Sequence, residues 1–287
     1  MNAREQILDQ FTALTPRMQA AARFIVDHPN EVVIASMRSL AEKAGAQPAT
    51  LVRLAQQLGY AGWPELKSAF ARDLGLHSRT YGERAMELAR RGSRHDLASE
   101  LFAVQRANLA TTEAAGAPHL GDAVRLLRKA RAVHIAGFRA SHPIAFSLFY
   151  GWRLFRDSVF LVDGHGTGLE TQLRPIGRQD AVVVVSFAPY SREACTAAEH
   201  ARAAGAKLVA LTDSDASPLA LGADVVLPFA VASPSFFPSV AAGVALAEAL
   251  LELLVAQGGE DVAADIERVE RQLFVSGAYL RPPGRRG

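Results

Sequence analysis

Cysteine is nearly absent: Cys195 is the single example in 287 residues. That excludes an internal disulfide framework and a multi-cysteine metal site and fits a reducing cytosol, leaving Cys195 as a small apolar packing residue. A surplus of charge of one sign is also missing. Lysine and arginine number 31 against 29 aspartate and glutamate, so the whole chain carries no electrostatic footprint for nucleic acid and any basic patch must be local. No stretch reaches the roughly 18 uninterrupted apolar residues of a membrane span. The N-terminus opens Met1-Asn-Ala-Arg-Glu-Gln6, with charges where a secretory signal needs an apolar core. The longest apolar helix-like run, Val240 to Ala256, is broken by Glu248 and Glu252, which are four apart and mark one exposed edge of a core helix. These absences describe a soluble, cytoplasmic protein with no membrane partner, and no cofactor is expected.

What is present is ample core material, 49% hydrophobic residues, in a chain long enough for two domains. From Ala132 onward strand-like and helix-like segments alternate. Strands are expected at Ala132 to Ala136, Ser158 to Val162, Ala181 to Val185, Lys207 to Leu211 and Asp224 to Leu227. Helices fall at about Pro143 to Phe155, Gly168 to Arg174, Arg192 to Ala204 and Pro238 to Val255, with a turn at Ser217 to Leu221. Such alternation implies a flavodoxin-like five-stranded parallel sheet with helices on both faces, because parallel strands need crossover connections. With strand order 2-1-3-4-5 the switch point lies between the first and third strands. There the runs ending Ile135-Ala-Gly137-Phe-Arg-Ala-Ser141 and Val185-Ser186-Phe-Ala-Pro-Tyr-Ser191 emerge side by side. Hydroxyls and backbone N–H groups at two helix N-termini make an anion site. Taken singly, Gly137 and these serines are ordinary loop and capping residues; two loops meeting at the switch point favour a site.

The first 75 residues read as an all-α domain. Ile7, Leu8, Phe11 and Leu14 form one amphipathic set, Thr15-Pro16 caps and opens a second helix, and His28-Pro29 closes it. Ser39 and Glu42 have capping-box spacing, Gly45 suits a helix end at positive φ, and Pro48 opens a helix running to Gly59. That is helix, tight turn, helix. Leu51, Leu54 and Leu58 fall inward, leaving Ala49, Thr50, Arg53, Gln56 and Gln57 outside, with Gln47 just before the helix. A helix-turn-helix sets the start of its second helix in the DNA major groove, where Arg reads guanine and Gln reads adenine. A plain helical cap with solvated outward residues, or one that contacts protein, satisfies the same periodicity. Charges across residues 1 to 75 nearly cancel, so DNA binding would need a dimer or tetramer to gather phosphate contacts.

Between the domains, residues 76 to 96 form a polar linker with a short helix at Glu83 to Arg90; Arg90, Arg91 and Arg94 read as a solvated face. A long helix, Leu97 to Ala115, and a shorter one, Gly121 to Ala130, precede the sheet, and residues 281 to 287 have the composition of a disordered tail.

The Ser39-Leu-Ala-Glu-Lys-Ala-Gly45 segment, Pro48-Ala-Thr50-Leu-Val-Arg53, and the run Leu58-Gly59-Tyr60-Ala-Gly62-Trp63-Pro-Glu65-Leu66-Lys67 resemble the N-terminal helix-turn-helix of the MurR/RpiR bacterial transcriptional regulators. Gly137, Ser141, Ser186, Gly205-Ala-Lys207, Leu211-Thr-Asp213 and Ser217-Pro218-Leu219 are similar to landmarks of the sugar isomerase (SIS) domain that completes that architecture. The resemblance implies a homodimeric or homotetrameric regulator with two partners: DNA, and a small anionic sugar-derived effector, a phosphosugar. It places the effector at Gly137, Ser141, Ser186 and Ser191, while the outward face of the second helix makes Gln47, Ala49, Thr50, Arg53 and Gln57 the residues expected to contact DNA. Two departures stand out. Arg139 replaces the second glycine of a Gly-x-Gly-x-Ser loop, and Ala188-Pro189 replaces Ser-Gly in the second loop, removing a hydroxyl and an N–H. Arg139 and Arg192 can instead supply a charged fork for a phosphate or a carboxylate. SIS domains also serve phosphosugar isomerases, for which Glu170, His165 and Glu193 are the candidate bases; each has a structural alternative, and no catalytic residue is expected.

Overall fold

The computed structural model describes residues 3–73, 80–92 and 96–280, and the chain divides into two compact units, Met1–Thr80 and Tyr81–Gly287. Expectations for residues 76–79, for Arg94 and for the 281–287 tail lie outside the described residues.

The first unit contains α1 (Ala3–Gln10), α2 (Pro16–Asp27), α3 (Pro29–Ile34), α4 (Met37–Lys43), α5 (Pro48–Gln57) and α6 (Trp63–Asp73). Its core gathers Ile7, Ile25, Leu40, Leu51, Leu54 and Phe70. Thr15 caps α2 as expected, its Oγ1 accepting the Met18 N–H at 3.4 Å. The short α3 was not legible, because Pro29 reads equally as a stop and as a first helical residue. The capping box at Ser39 and Glu42 is corrected: Ser36 is the cap, its Oγ accepting the Ser39 N–H at 3.2 Å, and Ser39 lies inside α4. Ser36 wins because its extended backbone, φ −67° and ψ 152°, turns the hydroxyl toward the first free N–H groups. Gly45, at φ 62°, ends the turn into α5 as anticipated.

The Leu58-to-Lys67 run is a clamp. Gly59, at φ 92°, lets the chain leave α5, and Tyr60 Oη then donates to Gln6 Oε1 at 2.7 Å while Gln6 Nε2 donates to the Leu58 carbonyl at 2.8 Å. Glu65 turns back to accept the Ala61 N–H, and Lys67 Nζ donates to the Ala35 carbonyl at 2.8 Å. Burial lowers the Lys67 pKa from its ordinary value.

The second unit contains α7 (Tyr81–Arg91), α8 (Leu97–Lys129), β1 (Val133–Gly137), α9 (His142–Arg153), β2 (Val159–Val162), α10 (Leu169–Leu173), β3 (Ala181–Val185), α11 (Arg192–Ala203), β4 (Lys207–Thr212), β5 (Val225–Pro228) and α12 (Ala241–Val275). All five strands are parallel in the expected order β2-β1-β3-β4-β5, with Ala136 beside both Val162 and Val184. Val133, Ile135, Val183 and Val185 pack under α8, α9 and α12, whereas Ala136, Val182, Val184 and Ala210 pack under α11. Two helices differ from expectation. α8 is continuous through Pro118, because its buried stripe Asn108, Thr112, Gly116, Leu120, Val124 and Leu127 repeats every turn across the proline. At Gly116 an added Cβ would lie 3.0 Å from both Leu246 Cδ1 and the Pro228 carbonyl, so helix and sheet meet closely there. α12 runs on to Val275, with a break at Gly259 (φ 69°). It is long and apolar enough to cross a membrane by length and composition, yet Ala242, Leu246, Ala247, Leu250 and Leu254 sit in the core. Glu248 and Glu252 face outward as read.

At the amino ends of β1 and β3 Arg131 donates through Nε and Nη2 to Asp180 at 2.9 and 2.8 Å, and Asp180 also accepts the Gly177 N–H at 2.9 Å. The Asp180 side chain is wholly buried. Burial pushes its carboxyl up, but the bonds from Arg131 and Gly177 outweigh that and hold it below its ordinary value.

Two stability predictions follow from these contacts. Replacing Ser36 by Ala should cost about 1 kcal/mol, and Ser39 by Ala a few tenths, in urea unfolding of the full chain. Asp180→Asn should cost about 1–3 kcal/mol at pH 7. A carboxylate with a depressed folded-state pKa stabilises above its unfolded value and loses that contribution as pH falls through the folded one. The gap between wild type and Asp180→Asn should therefore close below about pH 4.

Candidate functional site

The site is built where β1 and β3 stop. An ideal Cβ on Gly137 would lie 2.4 Å from Ala145 Cβ and 3.1 Å from the Ser141 carbonyl, so only glycine lets α9 settle on the strand end. The chain turns through a single 3₁₀ turn, Arg139–Ser141, before α9 begins. Arg139 takes φ 52°, a left-handed conformation that costs a residue with a side chain roughly 1–2 kcal/mol. The second loop leaves β3 with the Ser186 N–H donating to the Leu211 carbonyl at 3.1 Å. It passes through a cis Ala188-Pro189 bond and enters α11 at Ser191, whose Oγ accepts the Ala194 N–H at 3.1 Å. Asp213, just beyond β4, braces this loop by accepting Tyr190 Oη at 2.8 Å and the Ala188 N–H at 3.2 Å. Burial, reinforced by the Asp213 charge, pushes the Tyr190 hydroxyl well above its ordinary pKa and keeps it a donor.

Of the six expected effector residues, Arg139, Ser141, Ser186 and Ser191 line one cavity of about 210 Å³. Gly137 stands behind it as the packing residue, and Arg192 is exposed on α11 and does not line it. Ser141 and Ser186 are 4% and 2% exposed. Aromatic groups complete the wall: Phe138, Phe187, Tyr81 and Phe237, with the last two rings 5.2 Å apart. Tyr81 and Phe237 arrive from distant parts of the chain and carried no local signal. Phe237 belongs to the segment after β5, which α8 holds through Asn108 Nδ2 donating to the Ala232 carbonyl at 2.8 Å and Thr112 Oγ1 accepting the Ala230 N–H at 2.9 Å. Asp213 had a signal, as part of the Leu211-Thr-Asp213 landmark.

Arg139 Nη2 donates to Glu193 Oε1 at 2.7 Å, joining the first loop to the first turn of α11. This hydrogen bond raises the Arg139 pKa and is the largest influence holding the Glu193 carboxyl below its ordinary value. His165 Nδ1 lies 3.0 Å from Asp163, whose carboxyl sits at about 2: burial raises it, but the bonds from His165 and Gln172 prevail. Neither His165, Glu170 nor Glu193 lines the cavity. A larger cavity of about 490 Å³ lies against β2, lined by His134, Phe160 and Gln172 among others. Its walls are mainly apolar, burial lowers the His134 pKa, and the one cation at its edge, Arg131, is already held by Asp180.

In the first unit, α5 buries Leu51, Leu54 and Ala55 and turns Ala49, Arg53, Gln56 and Gln57 outward, with Thr50 half-buried. Gln47 precedes the helix without a capping bond. Among the described residues no carboxylate pairs with Arg53. Gln57 is engaged, its Nε2 donating to the Ala13 carbonyl at 3.2 Å.

Residues 1–76 match the helix-turn-helix domain of the rpiR family, and residues 126–254 match the SIS domain. The HTH-type transcriptional regulator HexR of Pseudomonas aeruginosa is 27% identical over 79% of this chain and 80% of its own length. The regulator YfhH of Escherichia coli is 24% identical over 74% of this chain and 76% of its own. The bifunctional protein glk of Burkholderia mallei is 26% identical over 78% of this chain, but the match spans 34% of that protein. Among solved structures, the sugar isomerase domain of an RpiR transcription factor from Sphaerobacter thermophilus superposes with a TM-score of 0.59, 26% identity, and coverage of 62% of this chain and 99% of that one. Vibrio vulnificus NanR, solved with ManNAc-6P, shares the fold at a TM-score of 0.60 and 19% identity, over 97% of this chain and 100% of that one. With an rpiR-type helix-turn-helix domain at its start and an SIS domain behind it, the chain belongs to the RpiR family of DNA-binding transcriptional regulators.

Proposed function

We propose that the chain is a ligand-responsive regulator whose SIS cavity senses an anionic sugar-derived metabolite, a phosphosugar. The observation that carries this is the placement of one cation, Arg139, among Ser141, Ser186 and Ser191 at the switch point, with two helix N-termini behind them. NanR, of like fold, holds ManNAc-6P, which supports the phosphosugar class. His165 and Glu193, two of the groups suited to proton abstraction, are engaged with Asp163 and Arg139, which favours sensing over isomerisation. DNA is read by residues 1–75 through Gln47, Ala49, Thr50, Arg53 and Gln57, and residues 97–280 form the effector domain of a cytoplasmic homo-oligomer. Subunit pairing suits α9, where Phe146 and Tyr150 are 46% and 48% exposed in one aromatic row. Effector binding shifts the regulator between two arrangements only to the extent that it binds them unequally.

The test is fluorescence anisotropy of the full chain with duplex from its own upstream region, at two salt concentrations, with pools of sugar phosphates or sugar acids. Specific binding altered by the sugar phosphates is expected. Arg139→Ala should abolish that response and leave DNA affinity within about twofold, while Arg53→Ala should weaken DNA binding by about 1–3 kcal/mol. If duplex bound only through a nonspecific, steeply salt-sensitive background while sugar phosphates were interconverted, the regulator reading would fall and the isomerase would replace it.

A further inference from the structure

Along the second loop the backbone has few N–H groups to offer the cavity. Pro189 has no N–H, the Ala188 N–H is given to Asp213, and the Ser191 N–H points to Ser186 Oγ at 3.4 Å. Still open to a ligand are the hydroxyl hydrogens of Ser141, Ser186 and Ser191, with the Tyr81 hydroxyl opposite, all neutral, and the guanidinium of Arg139, the one cation lining the cavity among the described residues. That guanidinium already holds a carboxylate, Glu193, across the gap between the first loop and α11. The pair is open to water, with side-chain exposures of 74% for Arg139 and 33% for Glu193. Exposed pairs of this kind are weak and readily exchanged.

We propose that Glu193 is a built-in competing anion, which the effector's phosphate must displace from Arg139, so that the site selects a phosphate monoester over a carboxylate. The inference rests on the reading of this cavity as a phosphosugar site and adds to it the residue that enforces the choice of phosphate. Exchanging the Glu193 carboxylate for a ligand carboxylate replaces one monoanion by another of the same geometry and gains no charge. Glu193 is also tethered two residues from Ser191, so its effective concentration beside the first loop is high. A phosphate monoester, by contrast, carries about −1.5 to −2 charges at pH 7 and three acceptor oxygens. It gives Arg139 a stronger partner and takes the three serine hydroxyls as well. In its first-turn position Glu193 also repels an incoming anion from the same helix end.

The test is isothermal titration of the full-length protein with inorganic phosphate, ManNAc-6P and gluconate, comparing wild type, Glu193→Gln, Glu193→Ala and Arg139→Ala. Both Glu193 replacements should bind inorganic phosphate about three- to tenfold more tightly than wild type. Gluconate should bind wild type more weakly than either phosphate probe, and Glu193→Gln added to Arg139→Ala should change nothing, since the carboxylate then guards no cation. Equal or weaker phosphate binding by both Glu193 variants, in proteins with unchanged melting curves, would overturn the proposal. If Arg139→Ala alone still abolished binding, the anionic-effector reading would survive that result. Unchanged phosphate affinity in Arg139→Ala would bring down the reading and the proposal together.

Discussion

The second unit depends on a missing side chain. Because Gly137 has no Cβ, Ala145 and the first turn of α9 rest directly on the end of β1. The intervening residues must then turn back sharply within one 3₁₀ turn, which forces Arg139 into the left-handed region and buries Ser141. A larger residue at 137 would push α9 off the sheet, and the first loop would relax away from the second. Nothing similar fixes the second loop, which is shaped from outside: Asp213 at the end of β4 holds Tyr190 and the Ala188 N–H. One wall of the cavity is thus set by a close approach and the other by a hydrogen-bonded brace, and the two meet because β1 and β3 are neighbours in register.

Much of this architecture is legible in the sequence because parallel strands buried on both faces read as uninterrupted apolar runs. Ala181–Val185 is recovered to the residue, and the all-parallel sheet follows from alternation, whereas the order β2-β1-β3-β4-β5 is assumed from the flavodoxin-like pattern. The misreadings share one physical cause, that local punctuation was weighed without the packing that overrides it. Pro118 looks like the end of a helix, yet a buried stripe on both sides carries α8 through it. Ser39 and Glu42 have the spacing of a cap, yet Ser36 stands in the backbone conformation a cap requires. At the site, the hydroxyls and Arg139 were legible because each follows a strand. Tyr81 and Phe237 were not, since they reach the cavity from segments with no marked composition, and the pairing of Arg139 with Glu193 was not, since it joins two loops far apart in the chain.

The first unit separates two kinds of information. Residues that carry the family resemblance, from Leu58 to Lys67, are occupied in folding the domain: Tyr60 with Gln6, Glu65 with Ala61, Lys67 with Ala35, and Trp63 and Leu66 in the core. Ala49, Arg53 and Gln56 on α5 face outward. A helix-turn-helix can therefore keep its clamp while its outward side chains change, and resemblance across the clamp says little about which base pairs are read.

Two arginine–carboxylate pairs in the SIS domain show how burial divides scaffold from site. Asp180 is fully enclosed, accepts both arms of Arg131 and takes a third bond from Gly177, so removing any partner strands a charge that water cannot reach. Glu193 receives one bond from Arg139, and both ends remain in contact with solvent. Water can replace either partner at little cost there, and a better anion can replace one of them outright. The amino end of the sheet is therefore locked and the carboxyl end exchangeable, which is the arrangement a sensor needs: a rigid frame that holds two loops in place, and between them an interaction weak enough for a metabolite to take over.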